Sequence, residues 1–367
     1  MASSELYWKG ASNMLENDFL QRRIECAGTV TQLRLLREEF QDSMEFDANT
    51  LWTTERLHAI NELHDAFIRS AIRIAEVRVR AAYSAAPPVS SFAYLLFGSG
   101  GRKEQTLWSD QDNGIVYVPH PDAAPGEAEQ YMYHFSNEVQ RLLIEIGYPP
   151  CDGNVLATNA LWRKPLQHWK RDLREWITEP KFETVRYLLI TSDLRAVYGD
   201  AMLARELKEE LHRLIRTHRE ILPRMLQNTL RYKMLIGVLG NLLTEQYGID
   251  TGGIDIKYGA YIPMVNAIRL LALSNGIQAA STLERIEALK DMNTGIRQSM
   301  IWDWQEAFQS VLKFRLMTTG QSEGGTFSTR GMLPGKQLTK EVKRELKHAL
   351  RIGTELQKVV RRHVAII

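Results

Sequence analysis

Cysteine is scarce in this sequence. Only two cysteines, Cys26 and Cys151, occur among 367 residues, and they lie far apart along the chain. Two such residues cannot form a disulfide framework or a zinc ligand set. This usage is typical of a reducing compartment, and we therefore predict a cytoplasmic location. A chain of this length can bury a large core without disulfides or a structural metal.

Excess charge and long apolar runs are also missing. The 46 basic and 44 acidic residues leave a net charge of +2, which provides no general attraction for nucleic acid or an anionic membrane. The N-terminus lacks the basic segment and apolar core of a signal peptide. The longest nearly apolar stretch, Met234–Leu243, is far shorter than the roughly 20 residues that span a bilayer. We therefore expect neither a membrane nor a nucleic acid as a partner.

Apolar residues recur at spacings of three and four along much of the chain, which predicts amphipathic helices. The clearest segments in the first half are Thr54–Tyr83 and Glu127–Ile146. Further predicted helices are Leu166–Ile177, Phe182–Asp193, Ala201–Arg219, Leu222–Gly240, Ile262–Asn275, Thr282–Met292, Gln298–Thr318 and Thr339–His363. Thr339 is a candidate N-cap for the last of these. The final helix is basic and could contact an acidic partner or nucleic acid, but we interpret its charges as a solvated face.

Short apolar runs predict strands between these helices. Phe92–Phe97 and Gly114–Val118 have the pattern of buried strands, and Val155–Thr158 is a candidate third strand. Gly320–Gly335 is rich in Gly, Ser and Thr and predicts an exposed loop. The order of elements predicts an α+β fold, in which a small mixed sheet is flanked by largely helical N- and C-terminal regions. We divide the chain into a helical region (1–86), a sheet core (87–200) and a helical domain (201–367).

The first predicted strand ends in a glycine-rich turn. Gly98, Gly100 and Gly101 allow backbone conformations closed to other residues and let a phosphate approach the amide groups. Ser99 adds a hydroxyl donor, and Arg102 could bind phosphate oxygens through two nitrogens. The turn lacks the Gly-Lys-Ser/Thr ending of a Walker loop, and by itself it would usually be an ordinary loop.

Two carboxylates enter the second predicted strand. Asp110 and Asp112 are two residues apart, so on an extended segment both side chains point to the same face. Such oxygen ligands suit Mg²⁺, with Mn²⁺ as a possible substitute, and the ion would also take phosphate oxygens from a substrate. An isolated Asp-x-Asp is usually a solvated turn. The strand, glycine-serine turn and Asp-x-Asp together are far more specific than either part.

This combination resembles the polymerase-beta-like nucleotidyltransferases. Within them the chain is similar to a nucleotidyltransferase family related to the N-terminal domain of protein-PII uridylyltransferase. The stretches that carry the resemblance are Gly98–Gln105 with Ser109–Asn113, Gly147–Trp162 followed by Trp169 and Trp176, Asp193–Asp200, and, more weakly, Asp255–Gly259 with Ala267–Leu273. We expect the tryptophans to pack in the core rather than bind a ligand.

The resemblance implies a nucleoside triphosphate donor, ATP or UTP, and Mg²⁺. Gly98 and Ser99 would hold the β- and γ-phosphates, and Asp110 and Asp112 would bind the metal. Gly100, Arg102 and Ser109 belong to the same matched stretch and are further nucleotide-binding candidates.

Many superfamily members have a third catalytic carboxylate on a later strand. The candidate strand here contains no acid, so the resemblance points instead to Asp193. The alternative is that Asp193 caps a helix or forms an ion pair with Arg195.

Domains typical of the uridylyltransferase are not evident in this sequence. His64-Asp65 is the one His-Asp dipeptide, and we interpret it as a surface pair rather than a hydrolase site. No ACT, CBS or cyclic-nucleotide module is recognisable, so we expect any regulation to come from a partner or the N-terminal helices.

Three functional hypotheses remain open. The first is uridylyl or adenylyl transfer to a protein acceptor, such as a PII-like regulator, or to a small molecule, with release of pyrophosphate. The second is a catalytically silent protein that senses nucleotide with the same pocket. The third is a helical scaffold that forms homo-oligomers.

Overall fold

The structure is a computed structural model that describes residues 17–43, 54–83, 87–229, 234–237, 241–247, 250–318, 320–323, 326–329 and 331–365. Its helices are α1 (17–26), α2 (Val30–Ser43), α3 (Thr54–Ala82), α4 (Gly98–Arg102), α5 (Glu127–Ile146), α6 (Leu166–Thr178), α7 (Phe182–Thr191), α8 (Ala201–Thr217), α9 (Ile221–Thr229), α10 (Ile262–Ser274), α11 (Thr282–Lys290), α12 (Gln298–Leu316) and α13 (Lys340–Ala365). A π-helical turn, Lys257–Tyr261, leads directly into α10.

A small mixed sheet forms the core, as predicted. The strands are β1 (Val89–Leu96), β2 (Asn113–Pro119), β3 (Arg163–Pro165), β4 (Arg195–Gly199), β5 (Ile254–Asp255), β6 (Gly320–Glu323), β7 (Thr326–Thr329) and β8 (Met332–Leu333). The central sheet has the order β3-β2-β1-β4, with β1 antiparallel to β2 and β4 and with β2 parallel to β3. Helix α3 packs along α5 and helix α6 along α8, and all four contact the sheet. The α+β fold with helical flanks is therefore confirmed.

The predicted third strand is wrong. Residues 155–157 form an irregular segment, and the sheet is completed instead by the short strands β3 and β4. Asn113 at the start of β2 explains the difference. Its backbone N–H donates to the carbonyl of Val155 (2.9 Å), while its side-chain Oδ1 accepts from the amide of Ala157 (2.8 Å). A side chain thus takes the place of a backbone ladder partner.

The predicted exposed loop Gly320–Gly335 is wrong, because this segment contains the hairpin β6–β7 and the buried strand β8. Phe327 anchors the hairpin through distant contacts. Its amide donates to the carbonyl of Gly147 (3.0 Å), and its ring lies 4.5 Å from the guanidinium of Arg34 and 5.9 Å from the ring of Trp108. A single aromatic residue in a Gly- and Thr-rich stretch carries no periodicity, and its role depends on these tertiary partners.

The predicted helix Leu222–Gly240 is also too long. Helix α9 ends at Thr229, the positions 230–233 and 238–240 lie outside the described residues, and residues 234–237 are not helical. The amide of Leu235 donates to the carbonyl of Gly259 (2.9 Å), a bond to the π-helical turn that replaces a helical one. The other predicted helices are present, with ends that differ by at most a few residues.

The tryptophans and the last helix have the roles that the sequence predicted. Trp162, Trp169 and Trp176 are at most 5% exposed, and the indole N–H of Trp169 donates to the carbonyl of Ile115 (3.0 Å). Helix α13 buries its apolar face and exposes most of its basic residues, and Thr339 Oγ1 accepts from the amide of Val342 as an N-cap (3.3 Å). Both cysteines are free. In the described part of the chain, no helix is long and apolar enough to cross a bilayer.

Candidate active site

A cleft of about 610 Å³ lies between the sheet core and the helical C-terminal region. The core lines it with the turn after β1, the segment before β2 and part of α7. The C-terminal region contributes residues of α9, the π-helical turn, α10 and α12. Its volume is in the range that holds a nucleotide-sized ligand.

The glycine-serine turn forms the short helix α4 at the bottom of this cleft. Gly98 has a left-handed φ of 52°, and a Cβ atom there would lie 2.3 Å from Oδ2 of Asp112. The residue is therefore required to be glycine both by its backbone conformation and by the carboxylate that lies against it. Gly101 is equally restricted, since a Cβ would lie 2.1 Å from the carbonyl oxygen of Asp193. The turn thus touches both the Asp-x-Asp motif and the segment that carries Asp193.

Asp110 and Asp112 line the cleft together, as the sequence predicted. Among the described residues neither carboxylate forms an ion pair. Burial, together with the charge of Asp110, raises the pKa of Asp112 to about 6, although the Cys151 thiol, Lys257 and Arg102 act in the opposite direction. The proximity of Asp112 and Cys151 also affects the thiol. Burial and the charge of Asp112 raise the pKa of Cys151 to about 12.

Two partly buried carboxylates without a cationic partner are a donor set that fits Mg²⁺. No group of three or more His, Cys, Asp or Glu side chains arranged to hold a metal exists within the residues described. The protein would therefore supply two oxygen ligands, and water and phosphate oxygens would complete the coordination, as Mg²⁺ commonly requires.

Asp193 lies in the same cleft but is fully engaged by arginines. Its Oδ1 accepts from Arg269 Nε (3.0 Å) and Arg285 Nη1 (2.9 Å), and its Oδ2 accepts from Arg102 Nη1 and Arg269 Nη2 (2.5 Å each). Burial alone would raise the pKa of Asp193, but Arg269, Arg102 and Arg285 outweigh it and hold the pKa well below its usual range. These four bonds use the acceptor positions that a carboxylate offers.

Two alternatives were open for Asp193, a helix cap or a pair with Arg195, and the side-chain bonds described above go to other arginines instead. Arg195 donates instead to both carboxylate oxygens of Asp65, at 2.9 and 2.6 Å, and its Nε donates to the carbonyl of Gly100 (2.9 Å). His64 and Asp65 are both buried, so the predicted surface pair is wrong. Asp65 is a counterion of the sheet core.

Arg102 is bonded within the protein through all three nitrogens. Nε donates to Glu104 Oε2 (2.8 Å), Nη1 to Asp193, and Nη2 to the hydroxyl of Tyr261 (2.7 Å). The Tyr261 hydroxyl in turn donates to Glu104 Oε2 (2.6 Å), and Glu104 Oε1 accepts from the amide of Thr282 (2.8 Å). This buried network joins the core to the C-terminal helices and closes one side of the cleft.

The remaining predicted nucleotide-binding residues differ in position. Ser99 lines the cleft, as does Ser109. The Ser109 hydroxyl donates to the carbonyl of Thr106 and accepts from its amide, both at 3.1 Å, so it also shapes the loop before Asp110. Gly100 lies behind the turn, where a Cβ would meet Leu96 at 3.5 Å. The structure therefore brings Gly98, Ser99, Arg102, Ser109 and the three aspartates to one cleft.

Helix α3 of the N-terminal region holds the loop between the turn and Asp110. Asn61 Oδ1 accepts from the amide of Gln105 (2.9 Å), and Asn61 Nδ2 donates to the Gln105 carbonyl (3.3 Å). One turn further on, His64 Nε2 bonds to the Thr106 carbonyl (2.9 Å) and Nδ1 to the Tyr148 hydroxyl (2.8 Å). The carbonyl must accept, so His64 donates from Nε2 and accepts at Nδ1 as a neutral ring. Burial agrees with this, because it holds the pKa of His64 well below its usual value.

Sequence reasoning missed the basic residues that the C-terminal region brings to the cleft. Arg269 and Arg315 lie on the buried faces of α10 and α12 and line the cleft. Their signal in the sequence is an arginine within an otherwise apolar face, since Arg315 follows Val311 and Leu312 at helical spacing. Lys257 of the π-helical turn lines the cleft as well.

Two family models match the chain. Residues 45–183 match the family described as "Putative nucleotidyltransferase DUF294", and residues 219–364 match the "Putative nucleotidyltransferase substrate binding domain". Together they cover most of the chain, which therefore belongs to this nucleotidyltransferase family, and the predicted class is confirmed. No curated protein matches the sequence. The relation to protein-PII uridylyltransferase stays a prediction.

Proposed function

We propose that this protein transfers a nucleotidyl group from a nucleoside triphosphate to a hydroxyl, phosphate or amine of a protein or small-molecule acceptor, with release of pyrophosphate. The observation that carries the proposal is the pair Asp110 and Asp112, which share a cleft with the Gly98-Ser99 turn and have no cationic partner among the described residues. Family membership supports nucleotidyl transfer in general. The metal, the donor base and the acceptor are part of the proposal.

The residues divide the work between binding and positioning. Asp110 and Asp112 would hold Mg²⁺, which when bound supplies charge neutralisation at the α-phosphate and the leaving pyrophosphate. The turn at Gly98 and Ser99 would bind the terminal phosphates through its amides and hydroxyl. Asp193, with its acceptor positions filled, would act as a positioning residue that holds Arg102 and Arg269.

The test is pyrophosphate release with each of the four common nucleoside triphosphates, with Mg²⁺ or Mn²⁺, in wild type, Asp110→Asn and Asp112→Asn. We expect turnover to fall at least about a hundredfold in Asp110→Asn and in Asp112→Asn, because removing a residue that only supports a metal ligand already lowers metal affinity or activity roughly 10–100-fold. Asp122→Asn is the matched control, since its side chain is 91% exposed in a loop away from the cleft. Wild-type activity in both Asp110 and Asp112 variants would disprove the proposal.

A second candidate function is nucleotide sensing without turnover. The observation that favours it is the bonding of Asp193, whose acceptor positions are filled by arginines, so that it does not act as a third metal-binding carboxylate beside Asp110 and Asp112. Calorimetry distinguishes the two functions. Metal-dependent binding of one triphosphate without pyrophosphate release, under every acceptor tried, would favour the sensor over the transferase.

A further inference from the structure

Arg315 is a buried arginine that the reaction proposed above does not use. It lies near the end of α12, is only 5% exposed and lines the cleft beside the π-helical turn. Its guanidinium is 5.0 Å from the ring centre of Tyr261, which holds the planar group in place. The charges of Asp110 and Asp255 attract it.

The guanidinium of Arg315 is incompletely hydrogen-bonded among the described residues. Its Nε and Nη1 are buried and have no hydrogen-bond partner within the part of the chain that the structure describes. Arg102, Arg269 and Arg285 in the same region are each bonded to the carboxylate of Asp193. An unpartnered buried donor carries a cost in folding free energy and therefore calls for an explanation, and for a residue that lines a cleft one explanation is a bound ion or ligand.

The ligand that fits Arg315 is an anion with several oxygens. Planar guanidinium nitrogens match phosphate oxygens in pairs, and the group stays charged under all ordinary conditions. Lys257 lines the same cleft and adds a second positive charge from the π-helical turn. Both residues belong to the C-terminal region, whereas the Gly98-Ser99 turn belongs to the core.

We propose that the guanidinium of Arg315 binds the phosphates of the nucleoside triphosphate from the C-terminal side of the cleft, which this residue lines. This inference rests on the proposed function for the identity of the ligand. It makes the C-terminal region a part of the triphosphate site, and it gives the triphosphate a cation that Arg102, already bonded to Glu104, Asp193 and Tyr261, does not supply.

The experiment uses inorganic tripolyphosphate, which carries the phosphates without a base. Its binding to the full chain with Mg²⁺ is measured by calorimetry in wild type, Arg315→Gln and Arg351→Gln. We expect Arg315→Gln to weaken binding about tenfold or more, the usual effect of losing a charge-assisted hydrogen bond. Arg351→Gln removes the same charge from an exposed position of α13 outside the cleft and is expected to bind like wild type. Equal binding by Arg315→Gln and wild type, or no binding by wild type, would overturn the inference.

Thermal unfolding without ligand separates a binding role from a packing role. If Arg315 is kept for a ligand, Arg315→Gln should unfold at the same temperature as wild type or higher, because an unpartnered buried charge is removed. Tripolyphosphate should then raise the Tm of wild type but not that of the variant. A Tm several degrees lower in ligand-free Arg315→Gln would show a packing role and overturn the inference.

The two proposals can fail separately. Turnover with wild-type-like tripolyphosphate binding in Arg315→Gln would leave the transferase intact and overturn the role of Arg315. Arg315-dependent tripolyphosphate binding in a protein that releases no pyrophosphate would support the role of Arg315 and overturn the proposed transfer reaction.

Discussion

Asp110 and Asp112 differ from Asp193, in the same cleft, in how the protein compensates their charge. Asp110 and Asp112 form no ion pair with any described residue, and the pKa of Asp112 is raised by burial and by its neighbour. Asp193 receives four hydrogen bonds from three arginines, and its pKa is held below its usual range. The same residue type in one cleft therefore serves two purposes. We propose that a cation from outside compensates the first pair, whereas Asp193 is already neutralised by arginines of the fold.

The positively charged arginines near the cleft show the same division as its carboxylates. Arg102, Arg269 and Arg285 share the carboxylate of Asp193 and tie the core to the C-terminal helices. Arg315 lies in the same region with two nitrogens unpartnered in the described chain. Charges that are satisfied within the protein build the cleft, and we interpret the unsatisfied charges that line it as its contacts with a charged ligand.

The largest effect should come from removing the compensated carboxylate. Asp193→Asn leaves three buried guanidiniums without their shared counterion, and we expect the free energy of unfolding to fall by about 3–5 kcal/mol. Asp112→Asn removes an uncompensated carboxylate and should leave stability unchanged or slightly higher. Urea denaturation of both variants measures the difference. Equal stability of the two would show that the division between these carboxylates is wrong.

The second prediction tests the contact between the turn and the uncompensated pair. Gly98→Ala should lower the free energy of unfolding by about 2 kcal/mol or more, because alanine is strained at a left-handed φ and its Cβ would crowd Asp112. Gly126→Ala is the matched control, since Gly126 also has a positive φ but nothing within 4 Å of the added Cβ. We expect only Gly98→Ala to lose metal-dependent triphosphate binding in calorimetry. Retained binding there would mean that the position of Asp112 does not matter.

The third prediction concerns the hydrogen bonds between Asn61 of helix α3 and Gln105 in the loop before Asp110. Asn61→Ala leaves the buried amide of Gln105 without its side-chain acceptor. We therefore expect the free energy of unfolding to fall by about 1–2 kcal/mol and triphosphate binding to weaken. Asn137→Ala is the control. The side chains of Asn61 and Asn137 each donate to the backbone carbonyl four residues earlier in their helix, but Asn137 is exposed. If both variants bind triphosphate like wild type, the N-terminal region does not position the loop that carries Asp110.

The smallest effect is the pH dependence of metal-assisted binding. Because the pKa of Asp112 is raised to about 6, the folded protein gains a proton there as the pH falls, and the carboxylate loses the charge that attracts a cation. Between pH 7 and pH 5 we expect Mg²⁺-dependent triphosphate affinity to fall about tenfold. Asp193 does not titrate in this window, since its pKa lies far below it. Affinity that stays constant across these two units would contradict the raised pKa.

Much of this protein is determined by short stretches of its sequence. The helices Thr54–Ala82 and Glu127–Ile146 follow from apolar spacing, and β1 and β2 follow from short apolar runs. The placement of Asp110 and Asp112 in one cleft follows from their spacing at the start of a strand, and the glycine turn was recognised for the same local reason. Each of these features depends on neighbours within a few residues.

The tertiary structure alone decided which charges meet. Asp193 bonds to Arg102 across 91 residues, Arg195 to Asp65 across 130, and Arg102 to Tyr261 across 159. No local pattern contains such pairs, because they exist only after the N-terminal helices, the sheet and the C-terminal helices have packed together. The sequence predicts a strand at Val155–Thr158 and a loop at Phe327 for the same reason. The conformations of these segments are decided by hydrogen bonds to residues far away in the sequence, Asn113 for the first and the carbonyl of Gly147 for the second. Short-range periodicity predicts helices and strands. The role of a buried polar residue depends on how its charge is compensated, and that compensation requires the whole fold.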